Sequence, residues 1–167
     1  VADLHAEARG IEDDGHGHLE LEGPDVDLGV DLHDLADRDP AELDRRTGLK
    51  LHDLDSVFVT HEHGDHWFGL AHFSEARWLA APEVAAALNK TNKLPKPVEV
   101  ATGRLFDAVD VVPTPGHTLS HHSLRFDCDG LSVVVAGDAV GTQDFWRERR
   151  GYYNCVDFDL SARSMDK

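Results

Sequence analysis

The order of apolar and polar positions changes period along the chain, and each change marks an element. Residues 18–32 alternate well enough for two short strands, 19–21 and 26–28, joined at Gly23-Pro24. Asp39-Pro40-Ala41-Glu42 opens a helix, with an Asp cap, Pro at the first helical position and an acid in the first turn. That helix runs to about Thr47, and Gly48 closes it. Ser-Val-Phe-Val-Thr, residues 56–60, is a short buried strand by its β-branched content. A short helix is expected over 67–73, a strand over 77–80 and a helix over 82–90 that begins at Pro82. After a loop at 93–97, strands follow at 98–101, 110–113, 123–127 and 132–136, the last two joined as a hairpin around Asp129-Gly130. An irregular aromatic segment at 145–153 precedes a helix that begins near Asp159. Strands and helices alternate through the middle, which predicts an α/β fold of sheets covered by helices.

The chain has 167 residues without internal repeats or a low-complexity linker, so a single domain over 1–167 is the economical reading. Its 41% hydrophobic content, with three Trp and seven Phe, suits a packed globule rather than a disordered chain. No apolar run approaches the ~18 residues of a membrane helix, and the first residues lack a basic-then-apolar export pattern. Cys128 and Cys155 make neither a disulfide framework nor a thiolate zinc site. A cytoplasmic setting is the expectation.

Charge narrows the partners. Thirty-two acids against sixteen bases leave −16, which argues against nucleic acid and anionic membrane and for a small-molecule substrate. Twenty-two of the acids are Asp, whereas only five of the bases are Lys. Two readings fit that balance: a surface adapted to high salt, or a flexible acidic segment within residues 1–17.

Candidate chemistry is concentrated in Thr60-His61-Glu62-His63-Gly64-Asp65-His66, directly after a predicted strand and before a predicted helix. Imidazoles and carboxylates so close together suit zinc, iron or manganese, whereas calcium prefers oxygen cages. Two imidazoles at 61 and 63 can share one ion, while Asp65 and His66 point to a second. Two later strand ends fit the same centre: Thr114-Pro115-Gly116-His117-Thr118, and Asp138 after Val133-Val134-Val135-Ala136-Gly137.

These motifs together resemble the metallo-β-lactamase superfamily of metallo-hydrolases. Val26-Asp27-Leu28-Gly29 resembles that family's strand-end Asp-x-Gly, so the resemblance covers roughly residues 26–140. It implies a four-layer αββα sandwich, two mixed β-sheets flanked by helices, with the active site at one edge between the sheets. It further implies that His61, His63 and His117 hold one divalent ion, that Asp65 and His66 hold a second, and that Asp138 bridges them. Zinc comes first, with a single iron as the alternative. Two such cations give hydroxide at neutral pH for attack on a carbonyl or phosphoryl centre, with Asp65 orienting it. A helix opening at Trp67 would aim its N-terminus at the site and favour anionic groups there.

The chain departs from the family pattern in several places. The family supplies one more imidazole to the second ion, further along; no such His follows here before Lys167, so the fold is expected to be incomplete at its termini. Leu119-Ser120 stands where the family often has Pro-Gly. His121 is expected to hydrogen-bond near a ligand rather than to bind metal. Trp67, Phe68, Trp146, Tyr152 and Tyr153 are read as core or rim residues, with part of 145–153 walling a pocket. Arg147, Arg149 and Arg150 are read as a solvated charge run before an attractor of anions.

The resulting expectation is a hydrolase of a small ester, lactone, thioester or amide. The alternatives are a mono-iron oxygenase of persulfides using the positions of His61, His117 and Asp138, a phosphodiesterase or ribonuclease of the same superfamily, and an inactive metal-binding remnant.

Overall fold

A computed structural model describes residues 41–167. The strands expected at 19–21 and 26–28, the Asp27-containing motif, the acidic segment and the Asp39-Pro40 helix start lie outside the described residues.

The first described element is helix α1 (Ala41–Thr47). Gly48 ends it at φ +71°, where its N–H donates to the Asp44 carbonyl at 2.7 Å. Strands β1 (Ser56–Val59), β2 (Arg77–Ala80) and β3 (Glu99–Val100) then form a parallel sheet in that order. Helix α2 (Pro82–Lys90) is the crossover from β2 to β3 and starts at its proline as expected. It buries Val84, Ala85 and Leu88 on one stripe. The Asn89 amide pairs with both backbone groups of Val98, which fixes the next strand against the helix. Around this layer lies the continuous apolar core, including Val59, Leu70, Phe73, Trp78, Val84, Leu88 and Val98. The Trp78 indole donates to the Phe73 carbonyl at 2.8 Å, so its polar edge is satisfied inside that core.

The second sheet is antiparallel: β4 (Arg104–Leu105), β5 (Val109–Pro113), β6 (His122–Cys128) and β7 (Leu131–Val135), in chain order. The β6–β7 hairpin turns at Asp129-Gly130 with both φ positive, at 51° and 80°, as a primed two-residue turn requires. Helices α3 (Gln143–Arg147) and α4 (Phe158–Ser164) follow; Asp157 caps α4 by accepting from the Leu160 N–H. No helix among the described residues is long and apolar enough to cross a membrane.

Three expectations need correction. The helix over 67–73 is not an α-helix: the chain forms two 3₁₀ turns, Gly64–His66 and Phe68–His72. The reason is in the sequence, because Trp67, Leu70 and Phe73 recur every third residue, the 3₁₀ period, and all three are buried. Turns this short carry no extended dipole, so the expected anion-favouring helix N-terminus is absent there. The supposedly irregular segment 145–153 begins inside α3. Strand β4 was not anticipated, since two residues show no period. Two sheets flanked by helices are present as expected; among the described residues one is parallel and the other antiparallel.

Candidate metal centre

Three strand termini deliver the predicted side chains to one place. The loop after β1 carries His61 to His66, the loop between β5 and β6 carries His117, and the turn after β7 carries Asp138. The sheets are tied together here, since the His122 N–H at the start of β6 donates to the Thr60 carbonyl at the end of β1, at 3.0 Å.

Two glycines set the close approaches. Gly116 sits at φ +145° against α4, where a Cβ would stand 2.3 Å from the Ser161 Cα. The Pro-Gly-His loop can therefore lie directly on that helix, and the Ser164 hydroxyl donates to the Pro115 carbonyl at 2.7 Å. Gly137, at φ +54°, turns the chain after β7; a Cβ there would meet His121 Nε2 at 3.1 Å and Thr60 Oγ1 at 3.2 Å.

One donor atom each from His61, His63, His117 and Asp138 falls within 4.8 Å of all the others. His63 Nδ1 stands 3.1 Å from His61 Nε2 and 2.9 Å from His117 Nε2. Asp138 Oδ2 lies 3.1 Å from His117 Nε2 and 3.8 Å from His61 Nε2. A tetrahedral ion with ligand bonds near 2.1 Å needs donor-to-donor edges of about 3.4 Å, and the measured edges bracket that length. The donor set thus fits a divalent cation of the zinc type. Asp138 Oδ2 also lies 3.4 Å from His66 Nε2, which is itself 3.8 Å from Asp65 Oδ2. All six predicted residues therefore come together, with Asp138 between the two groups.

The proton inventory suits metal binding as well. Burial pushes the imidazole pKa of His61 well below its ordinary value, helped by His66 and His121 and opposed by Asp138. Burial likewise lowers His117. Both rings are neutral near pH 7 and keep lone pairs for a cation. Burial alone would raise the Asp138 carboxyl, but the hydrogen bond from His66 and the charges of His66, His117 and His61 outweigh it and hold it low. Thr60 Oγ1 engages His61 Nδ1 at 3.1 Å, which orients that ring with Nε2 inward.

His121 is fully buried behind this set, its ring centre 5.1 Å from that of His61. Its tautomer follows from a chain of hydroxyls. Ser123 Oγ must donate to the Ala136 carbonyl at 3.0 Å, so Thr114 Oγ1 donates to Ser123 Oγ at 2.7 Å. Thr114 then has only a lone pair left for His121 Nδ1, 2.8 Å away, and Nδ1 carries the proton. Burial drives the His121 pKa down to about 3, leaving Nε2 deprotonated and without a hydrogen-bond partner among the described residues.

Sequence reasoning missed the polar side chains that orient these groups: Thr60, Thr114, Ser123 and Glu62. Glu62 accepts from Ser120 Oγ at 2.5 Å and Thr118 Oγ1 at 3.4 Å, across the two metal-bearing loops. No local pattern signals such long-range pairs. The arginine run resolves as partnered surface. Arg149 faces Asp166 and lies over Trp146, Arg150 faces Glu148 and lies over Phe145, and Arg147 approaches Asp144. The chain just beyond the aromatic segment reaches the site, where the Val156 N–H donates to the His117 carbonyl at 3.2 Å. A cavity of about 350 Å³ lies over the antiparallel sheet between Arg125, Val134, Trp146 and Met165, and Thr114 and Ser123 also line it.

Known proteins resemble this chain in sequence and in fold. A hydroxyacylglutathione hydrolase of Rhodopseudomonas palustris (strain BisA53) is 33% identical over 105 residues, covering 60% of this chain and 39% of that enzyme. An N-acyl homoserine lactone hydrolase, solved with N-hexanoyl-L-homoserine at its catalytic metal centre, superposes with a TM-score of 0.62 at 24% identity. That match covers 78% of this chain and 55% of the other. A dizinc quorum-quenching lactonase superposes at 0.59 with 16% identity, over 75% of this chain and 55% of that one. The chain thus spans about two fifths of the curated enzyme and about half of the solved ones. The family model described as the metallo-beta-lactamase superfamily matches residues 22–164, and the chain belongs to that superfamily.

Proposed function

We propose that this chain carries the metal centre of a hydrolase acting on a small acyl substrate, with a thioester placed first among ester, lactone, thioester and amide. The observation that carries this reading is the convergence of His61, His63, His117 and Asp138, with His66 reaching the same Asp138 oxygen. The likeness to a hydroxyacylglutathione hydrolase supports the thioester.

His61, His63 and His117 would hold one divalent ion, Asp65 and His66 a second, and Asp138 both. Such a pair supplies Lewis acidity and brings the pKa of a bound water near neutrality. The protein's own groups do the rest. His61 and His117 form a buried floor whose neutral rings add no charge, while Asp138 brings one negative charge to the centre. Asp65 lies on the exposed side, where its carboxylate can accept a hydrogen bond from the attacking water and fix its direction. Thr60 and Thr114 hold the rings of His61 and His121 in one orientation each. The −16 net charge disfavours polyanionic substrates, in keeping with a small uncharged or weakly charged acyl group.

Metal counting and a substrate panel test the reading. Chain purified without chelator should contain zinc, up to two ions, and cleave a hydroxyacyl thioester in a reaction stopped by chelation and restored by zinc. One iron per chain, with oxygen consumed in the presence of a persulfide, would replace this reading with the oxygenase. Absence of both metal and turnover would leave only the inactive remnant.

A further inference from the structure

We propose that Glu62 is a positioning residue: its carboxylate, gripped by Ser120 and Thr118, sets the separation between the His61–His63 turn and the loop that carries His117. In an extended turn alternate side chains diverge, so His61 and His63 face the centre while Glu62 leaves on the other side. There it meets Ser120 Oγ at 2.5 Å and Thr118 Oγ1 at 3.4 Å, and these two hydroxyls lie 3.3 Å apart. Charge-assisted bonds of this kind are about twice as strong as neutral ones. The backbone of Glu62 is held too, since the Trp67 indole donates to its carbonyl at 3.0 Å.

Backbone bonds hold the two ends of the loop: the Thr114 N–H donates to the His121 carbonyl at 2.9 Å, and the His122 N–H to the Thr60 carbonyl at 3.0 Å. Glu62 adds the side-chain contact between residues 118–120 and the His61–His63 turn. Leu119, between the two hydroxyl residues, is 73% exposed and gives no apolar anchor. No proline or glycine lies in residues 118–121, Thr-Leu-Ser-His. The side-chain clamp adds to those backbone bonds a direct tie from Thr118 and Ser120 to the His61–His63 turn. Its consequence is read 2.9 Å away from slack: that is the His63 Nδ1 to His117 Nε2 distance, and a shift of either loop opens it directly.

The effect on metal rests on the hydrolase reading above, whereas the clamp itself does not, and two measurements separate them. In metal-free chain, denaturant unfolding of Glu62→Ala, Ser120→Ala and the double variant should be strongly non-additive, the second change costing little once the first is made. Strict additivity overturns the clamp whether or not metal binds. In the second measurement, chelator competition with zinc should show affinity falling about 10–100-fold in Glu62→Ala and Ser120→Ala. Ser120→Thr, which keeps the hydroxyl, should stay within about two-fold of wild type by the same scale. The visible spectrum of cobalt-substituted chain should change in the two alanine variants and not in Ser120→Thr. Equal affinities and spectra for Ser120→Ala and Ser120→Thr overturn the positioning role. Wild-type chain that takes up neither zinc nor cobalt overturns the hydrolase reading, and the metal-free cycle then decides the clamp alone.

Discussion

The two layers of this molecule bury different chemistry. Around the parallel sheet the buried side chains are apolar and contiguous, Val59, Leu70, Trp78, Val84 and Leu88 among them, with His61 just past β1 the buried exception. Around the antiparallel sheet they include Thr114, His117, Thr118, His121, Ser123, Ser161 and Ser164, and that half also exposes Leu131, Val134, Tyr153, Val156 and Phe158. Apolar burial is non-directional and stabilises whatever is bound nearby. Polar burial stabilises only where each polar atom finds a partner, and His121 Nε2 finds none among the described residues. The parallel layer is therefore a platform that stands on its own packing. The antiparallel layer depends on hydrogen bonds, and on the ion its loops are shaped to hold.

The largest expected effect breaks the shared centre itself. His63→Ala removes the nitrogen lying between His61 Nε2 and His117 Nε2. Metal analysis should then show the first ion lost, and hydrolysis should fall by more than the 10–100-fold typical of an outer hydrogen-bond partner. Unchanged turnover would refute the assignment of that residue. The contrasting change lies in the platform. Leu88→Ala should cost about 2–5 kcal/mol in denaturant unfolding, as a buried leucine truncation does. Zinc affinity measured below the unfolding transition should hardly change. A large drop in affinity would mean that the two layers are not separable in this way.

The division also explains what could be read in advance. Metal-capable residues are legible because a strand end must present them within a few positions: His61, His63, Asp65 and His66 share one turn. Helix α2 is legible because Pro82 opens it and Val84, Ala85 and Leu88 give it one apolar stripe. The 68–72 turns were legible in principle, in the three-residue spacing of Trp67, Leu70 and Phe73, but a short apolar stretch looks equally like an α-helix. Polar supports leave no such trace. Ser123 and Thr114 are nine positions apart, and Glu62 and Ser120 fifty-eight, so their pairing exists only after the sheets have formed.

A smaller effect tests the polar half from inside. His121 is held through Nδ1 by Thr114, and the ring fills the space between Gly137 and His61. His121→Ala should lower metal affinity or rate about 10–100-fold, less than His63→Ala. Complete metal loss in that variant would make His121 a ligand, a fifth imidazole beside His61, His63, His66 and His117.

Acid should reach the polar half first, and the sign follows from the direction of the pKa shifts. His61, His117 and His121 all have folded-state values below the ordinary 6.5, chiefly through burial. Below pH 6.5 the unfolded chain takes up protons that the folded chain refuses, so stability falls as pH falls. For one such imidazole the slope approaches 1.4 kcal/mol per pH unit until the folded value is reached, about 3 for His121. Asp138 adds to the loss only later. Its carboxyl is lowered from 3.8, so its stabilising contribution persists above that value and disappears as pH drops through the folded one. Metal occupancy should decline over the same first interval, because protons and cation compete for the same nitrogen lone pairs. Urea midpoints of metal-free chain between pH 8 and 5 should therefore be level above about 7 and decline below 6.5. Amide exchange should quicken in residues 114–140 before it quickens in 78–98. A level profile through pH 5, or acceleration in both halves together, would show that the buried imidazoles are not what distinguishes the two layers.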